Sequence, residues 1–335
     1  MPEARYQPLV QVGPVRPEGA LRLAGGWGWF THALRRTRGE GAVPIPAEAI
    51  PAAARAALTA PRPSVAGVEM DLPRLMAILN VTPDSFSDGG VHLDDPAAAA
   101  ARLVAAGADI LDVGGESTRP GAAEVAAADE IARAVPAVAA AVPLGVAVSI
   151  DTRKAAVAEA AADAGAAILN DVTALSFDPG MAPLAAARDL PVVLMHSQGS
   201  PETMQDAPRY DDVLLDVYDH LEARIAAAEA AGIARARLVV DPGIGFGKTL
   251  AHNLTLMANL SLFHGLGCPV LLGASRKRFI GTLAGDAPAT ARLPGSLAAM
   301  LAAVAQGVQI ARVHDVAESR QALTLWRAAT TGAAP

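Results

Sequence analysis

The sequence has little cysteine and few aromatic residues. Cys268 is the one cysteine among 335 residues, which excludes an internal disulfide and a zinc site built from several cysteines. Phe, Trp and Tyr make up 4% of the chain, although 52% of it is hydrophobic. The apolar residues are mainly Ala, Val, Leu and Ile, a mixture that suits Ala-rich helices packed on β-branched strands.

Positive charge is also scarce. Lys and Arg total 27 against 34 Asp and Glu, which gives a net charge of −7, and no basic run is present. Such a chain is a poor nucleic-acid binder, although a few focused basic groups can still hold an anion. No apolar stretch looks able to span a membrane and no secretory signal is evident, so we expect a cytoplasmic protein without membrane or nucleic-acid partners.

Residues 1–62 differ in composition from the rest of the chain. They include eight prolines and two tryptophans, Trp27 and Trp29, but no motif with site chemistry. Disordered tails usually lack aromatics, so these residues favour packing, and either a small packed appendage or a partly ordered extension fits. We divide the chain into an N-terminal extension of unknown role, residues 1–62, and a main domain, residues 63–335.

Eight apolar runs recur along the main domain. They are residues 75–79, 110–113, 144–150, 166–169, 192–195, 238–240, 270–272 and 308–313. Helical segments lie between them; the clearest is 211–232, in which Leu214, Val217, Leu221 and Ile225 fall on one face. Eight buried strands alternating with helices predict a (β/α)8 TIM barrel with an N-terminal extension, in preference to a doubly wound open sheet.

Polar side chains follow these strands at their carboxyl ends, where the site of a barrel lies. In chain order the ends carry Asn80, Asp112, Asp151, Asn170, Met195 with His196, Asp241, Ser275 with Arg276 and Lys277, and Arg312 with His314. A helix N-cap is a fair alternative for Asp151, Asp171 and Asp315 taken singly. It does not explain the whole set.

The set divides into two groups with different chemistry. The first combines acceptors and donors: Asp112, Asn170, Asp241 and Lys277. Buried carboxylates require N–H partners, which a flat heterocycle with an amino group and ring N–H groups would supply. The second group suits an anion: Arg312, His314 and Asn80, whose amide oxygen also suits a divalent cation. The start of the helix after Ser275 offers backbone N–H groups to a carboxylate or phosphate.

Two glycine-containing stretches resemble catalytic or phosphate-binding motifs but fail on spacing. The run 243–249 looks like a phosphate loop, but Pro242 stands where that motif requires glycine. It fails the dinucleotide fingerprint because Lys248 occupies the last glycine position. The run 273–277 fails the nucleophile elbow because Lys277 replaces its second glycine. No covalent nucleophile is predicted.

Seven stretches taken together resemble the dihydropteroate synthase family, the folate-pathway enzymes that sulfonamides inhibit. The first is Ile78-Leu-Asn-Val-Thr-Pro-Asp-Ser-Phe-Ser-Asp-Gly-Gly90, and the others are 112–121, 149–152, 170–171, 241–248, 273–277 and 312–315. They stand in family order between about residues 65 and 330. The resemblance implies a barrel enzyme that joins 6-hydroxymethyl-7,8-dihydropterin diphosphate to 4-aminobenzoate, releases diphosphate, uses Mg²⁺ and forms a homodimer.

The resemblance also implies a role for each matching residue. The expected pterin contacts are Asp112, Asp151, Asn170, Met195, Asp241 and Lys277. The expected surround of 4-aminobenzoate is Thr118, Arg119, Pro120, Phe246 and Ser275. The diphosphate is expected at Asn80, Arg312 and His314, with Asn80 as the Mg²⁺ ligand, under a mobile loop that carries Thr82, Asp84 and Phe86. The groups expected to act in catalysis are Asp112, Asp241, Lys277, Arg312 and His314.

The expected chemistry is a dissociative substitution in which diphosphate leaves before the arylamine attacks. A methyltetrahydrofolate-binding methyltransferase barrel would share the pterin pocket, but it would not explain the stretches 116–121 and 275–277. A catalytically silent paralogue that only binds ligand is the other alternative, and a turnover assay separates it from an enzyme.

Overall fold

The computed structural model describes residues 4–82, 95–117, 122, 124–199, 204 and 207–332. The strands in this part of the chain are β1 (Arg5–Pro8), β2 (Leu21–Arg22), β3 (Trp29–Phe30), β4 (His32–Arg36), β5 (Val43–Pro46), β6 (Arg74–Asn80), β7 (Ile110–Gly114), β8 (Ala147–Asp151), β9 (Ile168–Asp171), β10 (Val192–Met195), β11 (Leu238–Asp241), β12 (Leu271–Leu272) and β13 (Ile310–Val313). The α-helices are α1 (Ala52–Thr59), α2 (Pro96–Ala105), α3 (Ala127–Ala141), α4 (Ala155–Asp163), α5 (Met181–Ala187), α6 (Val213–Ala230), α7 (Leu250–Ala258), α8 (Arg278–Leu283), α9 (Leu293–Val304) and α10 (Val316–Thr331).

Strands β6 to β13 form one parallel sheet that closes on itself. Its order is β11-β10-β9-β8-β7-β6-β13-β12, and a parallel bridge between Val240 and Val270 joins the two outer strands. The amide of Val240 donates to the carbonyl of Pro269 at 3.0 Å across the same seam. The predicted (β/α)8 barrel is therefore confirmed, and each of the eight apolar runs overlaps one of its strands.

Four runs begin earlier in the sequence than their strands begin in the structure, and the difference is largest at β8. The apolar run at 144–150 predicted a strand from its first residue, but β8 starts at Ala147. Residues Val142–Leu144 form a 3-10 turn that ends at Gly145, where φ is +79°. Glycine adopts this left-handed backbone without a Cβ clash, so the turn redirects the chain before the strand begins.

The helices pack small and aliphatic side chains against the outside of the barrel. In α6 the predicted apolar face is buried, with Leu214, Val217, Leu221 and Ile225 all within the core. The carboxylate of Asp212 caps this helix by accepting from the amides of Leu214 and Leu215. The amphipathic period read from the sequence therefore marks the side of the helix that faces the strands.

The amino-terminal end of the barrel is filled with apolar side chains. A short bridge between Val65 and Val68 leads into β6, and Val65 and Met70 are buried there. They pack on inward-pointing side chains from the strands: Met76, Ile110, Ile168, Val193, Val239, Leu271 and Ile310. This end of the barrel is apolar and the polar groups lie at the opposite end, where barrel enzymes place their active sites.

Residues 4–62 form a small folded unit attached to the barrel. An antiparallel sheet of β1, β4 and β5, the β2–β3 hairpin and α1 enclose a core of their own around Leu23, Phe30 and Leu58. Side chains tie the unit to the barrel: Trp27 Nε1 donates to the carbonyl of Val304 at 3.0 Å, Arg62 to the carbonyl of His264 at 2.8 Å and Arg5 to Glu222 at 2.6 Å.

None of the helices in the described part of the chain combines the length and the apolar character that a membrane crossing requires.

Candidate active site

The strand register brings the predicted polar residues to one end of the barrel. Asn80 pairs with Gly114, Gly114 with Asp151 and Asp151 with Asn170, so these strand ends lie side by side. Asp112 lies two residues deeper in β7, level with Ile78 and Ser149. Since alternate residues of a strand point the same way, Asp112 and Gly114 face one side of the sheet.

Arg312 joins two buried carboxylates at the centre of this end. Its Nε lies 2.6 Å from Asp112 Oδ2, and its terminal nitrogen Nη2 lies 2.7 Å from Asp151 Oδ2. Asn170 Nδ2 donates to the same Asp112 oxygen at 3.0 Å. The Asp112 side chain is fully buried and that of Asp151 is 7% exposed. One guanidinium therefore holds two acids that water does not reach.

The second oxygen of each acid faces no partner. Asp112 Oδ1 and Asp151 Oδ1 are buried, and neither has a hydrogen-bond partner within the described residues. Burial raises the pKa of Asp151 to about 7, and the charge of Arg312 opposes that rise. Buried acceptors of this kind are costly unless a donor reaches them. The pair is suited to a ligand that presents N–H groups.

Asp241 and Lys277 are a second acid and base at this end of the barrel, and each shifts the pKa of the other. Burial raises the pKa of Asp241, and the ammonium of Lys277 opposes the rise. The Gly243 amide donates to Asp241 Oδ1 at 2.7 Å. Burial lowers the pKa of Lys277 to about 8, while its Nζ donates to the carbonyl of Ile244 and lies 4.4 Å from the ring centre of Phe246.

Ser275 and His314 meet where β12 and β13 end. The Ser275 hydroxyl lies 3.0 Å from His314 Nδ1 and accepts from the backbone N–H of His314 at 3.3 Å. The predicted anion site on the backbone is only partly open, because the N–H of Arg276 donates to the Ser296 hydroxyl at 2.9 Å. The N–H of Lys277 is also used, donating to the carbonyl of Ala274 at 3.3 Å.

The helix-cap alternative is wrong for Asp151 and does not describe Asp315. Helix α4 begins after Lys154, which makes no side-chain cap, and the Asp151 carboxylate points instead to Arg312. Asp315 stands at the start of α10, but its carboxylate is paired with Arg276. Asp171 does serve the local backbone, accepting from the amides of Thr173 and Leu175.

A buried ionic cluster beside the pocket was not predicted. Lys154 Nζ lies 2.9 Å from Glu116 Oε1 and 2.7 Å from Glu130 Oε2, and Arg153 Nε lies 3.2 Å from Glu116 Oε2. Although burial acts in the opposite sense, hydrogen bonds from Arg153, the Val125 amide and Lys154 lower the pKa of Glu116. The signal in the sequence was the cation pair 153–154, which follows the strand-end acid Asp151 after one residue.

The predicted residues are unevenly covered by the structure. Asp84, Phe86, Thr118, Arg119 and Pro120 lie outside the described residues. Of the others, Thr82 and Met195 are buried and Asn80 is half-buried at the end of β6. Their placement at one end of the barrel is a finding, whereas the role of each in binding or catalysis stays a prediction.

Comparison with known proteins agrees with this geometry. The profile of the family described as pterin binding enzyme matches residues 76–314. The dihydropteroate synthase of Escherichia coli strain K12 is 51% identical over 262 residues, which is 77% of this chain and 92% of the relative.

Solved structures give the same result. Dihydropteroate synthase from Xanthomonas albilineans with 4-aminobenzoic acid is 48% identical at a TM-score of 0.74, covering 82% of this chain and 99% of that one. The same enzyme in complex with 7,8-dihydropteroate is 45% identical at a TM-score of 0.71, covering 82% and 100%. The chain belongs to the pterin-binding enzyme family, among the dihydropteroate synthases.

Proposed function

We propose that this chain condenses 6-hydroxymethyl-7,8-dihydropterin diphosphate with 4-aminobenzoate to give 7,8-dihydropteroate and diphosphate, a step of folate biosynthesis. The observation that carries the proposal is that one buried oxygen of Asp112 and one of Asp151 accept no hydrogen bond from any residue that the structure describes. They lie at the carboxyl ends of barrel strands, where barrel enzymes place their chemistry. The Xanthomonas albilineans relative, whose structures hold 4-aminobenzoic acid and 7,8-dihydropteroate, supports the choice of substrates.

The pterin is proposed to lie between the two acid groups. Its amino and ring N–H groups would donate to Asp112 and Asp241, whose burial makes an N–H partner favourable. Asn170 and Lys277 supply donors beside those acids, and Met195 supplies an apolar contact. Because Asp151 shares Arg312 with Asp112, a ligand that moves the guanidinium changes both acids at once.

The diphosphate is proposed to lie near Arg312, His314 and Asn80. The donor chemistry also fits Mg²⁺, since Asn80 offers an amide oxygen and a Cβ placed on Gly114 would lie 3.0 Å from that oxygen, so glycine leaves it room. No cluster of three or more His, Cys, Asp or Glu within the described residues is placed to hold a metal by itself. Mg²⁺ commonly uses one or two protein oxygens and completes its shell with phosphates and water. When bound, it would neutralise charge on the departing diphosphate.

The proposed reaction is a dissociative substitution. The C–O bond between the pterin methylene and diphosphate breaks, and its electron pair leaves with diphosphate. The amine nitrogen of 4-aminobenzoate then attacks the methylene cation, and the nitrogen loses a proton after the C–N bond forms. Arg312 and His314 favour the leaving charge, and Asp241 favours the electron-poor pterin. No side chain needs to form a covalent bond.

The 4-aminobenzoate ring is proposed to lie beside Phe246, with its carboxylate near Ser275. Thr118, Arg119 and Pro120 would complete this surround, and Thr82, Asp84 and Phe86 would belong to a loop that closes over the substrates. Closure of this kind would exclude water, which competes for the cation.

A homodimer in the cytoplasm is part of the same proposal. The support for the dimer is the family resemblance and exposed leucines on α7 and α8, with Leu254 40% and Leu283 59% exposed. Sedimentation velocity at micromolar concentration tests the dimer, and a single monomer peak would contradict it.

The test is product formation by the purified chain. We expect stoichiometric diphosphate and 7,8-dihydropteroate when both substrates are mixed with Mg²⁺, and strong loss of both products when the ion is chelated. Ligand binding without any product would identify a silent paralogue and overturn the proposal. Diphosphate release without a carbon–nitrogen product would mean that water, and not the arylamine, is the acceptor.

A further inference from the structure

Lys248 is a buried cation that the proposed chemistry does not use. It is 3% exposed and follows β11 in the glycine-rich run 243–249. Its Nζ lies 2.8 Å from the carbonyl oxygen of Gly243, 2.9 Å from that of Phe246 and 2.8 Å from His196 Nδ1. The carbonyl of His196 is a fourth, more distant acceptor at 3.4 Å, so the end of the side chain is surrounded by acceptors.

These contacts fold the run 243–247 around the ammonium. The two carbonyls that Lys248 binds stand at the two ends of a tight turn, in which the amide of Phe246 donates to the carbonyl of Gly243 at 3.2 Å. The turn also presses on the chain after β10: a Cβ placed on Gly243 would lie 1.9 Å from the carbonyl oxygen of His196. Glycine is required at that contact because no side chain fits.

The outer side of the same turn is also held. Tyr210 donates its hydroxyl to the carbonyl of Gly247 at 2.8 Å, and Asn253 accepts from the amide of Gly245 at 2.7 Å. The carbonyl of Ile244 accepts from Lys277. Lys248 therefore binds the turn through the carbonyls of Gly243 and Phe246, and Lys277 binds it through the carbonyl of Ile244.

Phe246 is the side chain of this turn that lies against Lys277. It is half-buried, and Lys277 Nζ lies 4.4 Å from its ring centre. The carbonyl of Phe246 accepts a hydrogen bond from Lys248 Nζ, so the position of the Phe246 ring depends on this buried lysine. A side chain that moves by about 1 Å from its working position can lower activity by about a hundredfold.

We propose that Lys248 is a positioning residue that fixes the 243–247 turn so that Phe246 forms a wall for the aromatic second substrate. The proposal rests on the function proposed above, in which Phe246 borders 4-aminobenzoate. Lys248 touches neither substrate. Lys248 acts on the substrate indirectly: it binds the carbonyls of Gly243 and Phe246 and thereby sets the position of the Phe246 ring.

The first test separates positioning from general stability. Lys248→Met keeps the apolar stem and removes the three donors, and we expect the KM for 4-aminobenzoate to rise about tenfold to a hundredfold. The dissociation constant of the pterin alone should rise much less than that KM, because Arg312 and not this turn holds Asp112 and Asp151, and the turn meets only Asp241, through the Gly243 amide. Tyr210→Phe, which removes one outer tie, should raise the same KM by about two- to fivefold.

A matched control variant lowers the free energy of unfolding without changing any contact of the 243–247 turn. Leu323→Ala truncates a buried side chain of α10, so it should lower Tm and leave the KM for 4-aminobenzoate unchanged. An unchanged KM in Lys248→Met, or pterin and 4-aminobenzoate affinities that weaken together, would overturn the proposal. Turnover by the unaltered chain is measured alongside, so failure of the proposed function is seen separately.

A second measurement keeps the proposal testable when Lys248→Met does not fold. The chain contains three lysines, Lys154, Lys248 and Lys277, so labelling with ¹³Cε-lysine gives three resonances. Lys154→Arg and Lys277→Arg assign the other two. We expect the Lys248 resonance to move when 7,8-dihydropteroate binds and to move much less with the pterin alone. No movement, or equal movement with both ligands, would overturn the proposal.

Discussion

Replacing Arg312 with alanine should destabilise the protein in a manner that depends on pH. The guanidinium lies 2.6 Å from one oxygen of Asp112 and 2.7 Å from one oxygen of Asp151. These carboxylates are 0% and 7% exposed, so water cannot replace the lost cation. Removing one partner of a buried ion pair costs about 3–5 kcal/mol, because the remaining charge stays buried and unpaired. We expect a loss of this size in Arg312→Ala where both acids are ionised.

The direction of the pH dependence follows from the pKa of Asp151. Burial raises this pKa from 3.8 to about 7, so between these values the folded state holds a proton that the unfolded state has released. This group therefore makes the protein less stable as pH rises toward 7. Arg312 opposes the rise, so the pKa of Asp151 should be higher still in Arg312→Ala. Above about pH 7 the variant keeps a proton that the unaltered chain has lost, and its deficit grows by up to about 1.4 kcal/mol per pH unit.

Urea unfolding followed by tryptophan fluorescence measures this difference at about pH 6 and about pH 8.5. Arg320→Ala is the matched control, since Arg320 pairs with Asp109 on a more open surface where the side chains are 32% and 21% exposed. The control should lose about 1 kcal/mol or less at both pH values. A deficit of Arg312→Ala that is equal at the two pH values, or below about 1 kcal/mol at both, would refute the reasoning.

Further variants test other parts of the site. Asp241→Asn should weaken pterin binding by about 2–5 kcal/mol, because the amide cannot provide the buried negative charge; unchanged affinity by calorimetry would contradict this. Glu116→Gln should lower the free energy of unfolding by about 1–3 kcal/mol, since Lys154 loses one of its two carboxylates; an unchanged urea midpoint would argue against that cost. Gly243→Ala should destroy the turn, because its φ is +67° and the added Cβ would meet His196. A soluble variant with an unchanged KM for 4-aminobenzoate would disprove this last expectation.

The barrel and the location of the site could be predicted because both depend on short-range patterns. An apolar run that ends in Asp or Asn marks a strand and its carboxyl end at once, as at Asn80 after residues 75–79 and at Asp241 after residues 238–240. Parallel strands then place all such ends together, whatever the helices between them. The amphipathic period of α6 is equally local and was correct.

The partners of each polar residue could not be predicted in this way. The sequence suggested one group for the heterocycle and another for the anion, with Arg312 in the second. In the structure Arg312 pairs with Asp112 and Asp151, because β13 lies beside β6 and the closed sheet brings side chains from three strands to its centre. Pairing across a barrel depends on register and closure, and a linear pattern contains neither.

The packing of the N-terminal unit on the barrel could not be predicted from local sequence patterns either. Its aromatic residues favoured packing, and the fold places Phe30 in a separate core while Trp27 reaches the barrel. Arg38 contributes a further contact by pairing with Asp216 and Asp219 on α6, where the side chains are 27% and 44% exposed. Surface pairs of this type carry no sequence signature and contribute little stability each. The family profile begins at residue 76, so it provides no template for this unit.

The two open carboxylate oxygens relate the stability of the barrel to its proposed function. A buried acceptor without a donor costs about 1–3 kcal/mol, and Asp112 and Asp151 each present one. The fold could have satisfied them with a neighbouring amide, as Asn170 satisfies the other oxygen of Asp112. Because no described residue donates to them, these two oxygens lower the stability of the ligand-free protein. A ligand whose N–H groups reach both oxygens would supply hydrogen bonds that the described residues do not, which favours a flat N–H donor over an apolar ligand of the same size.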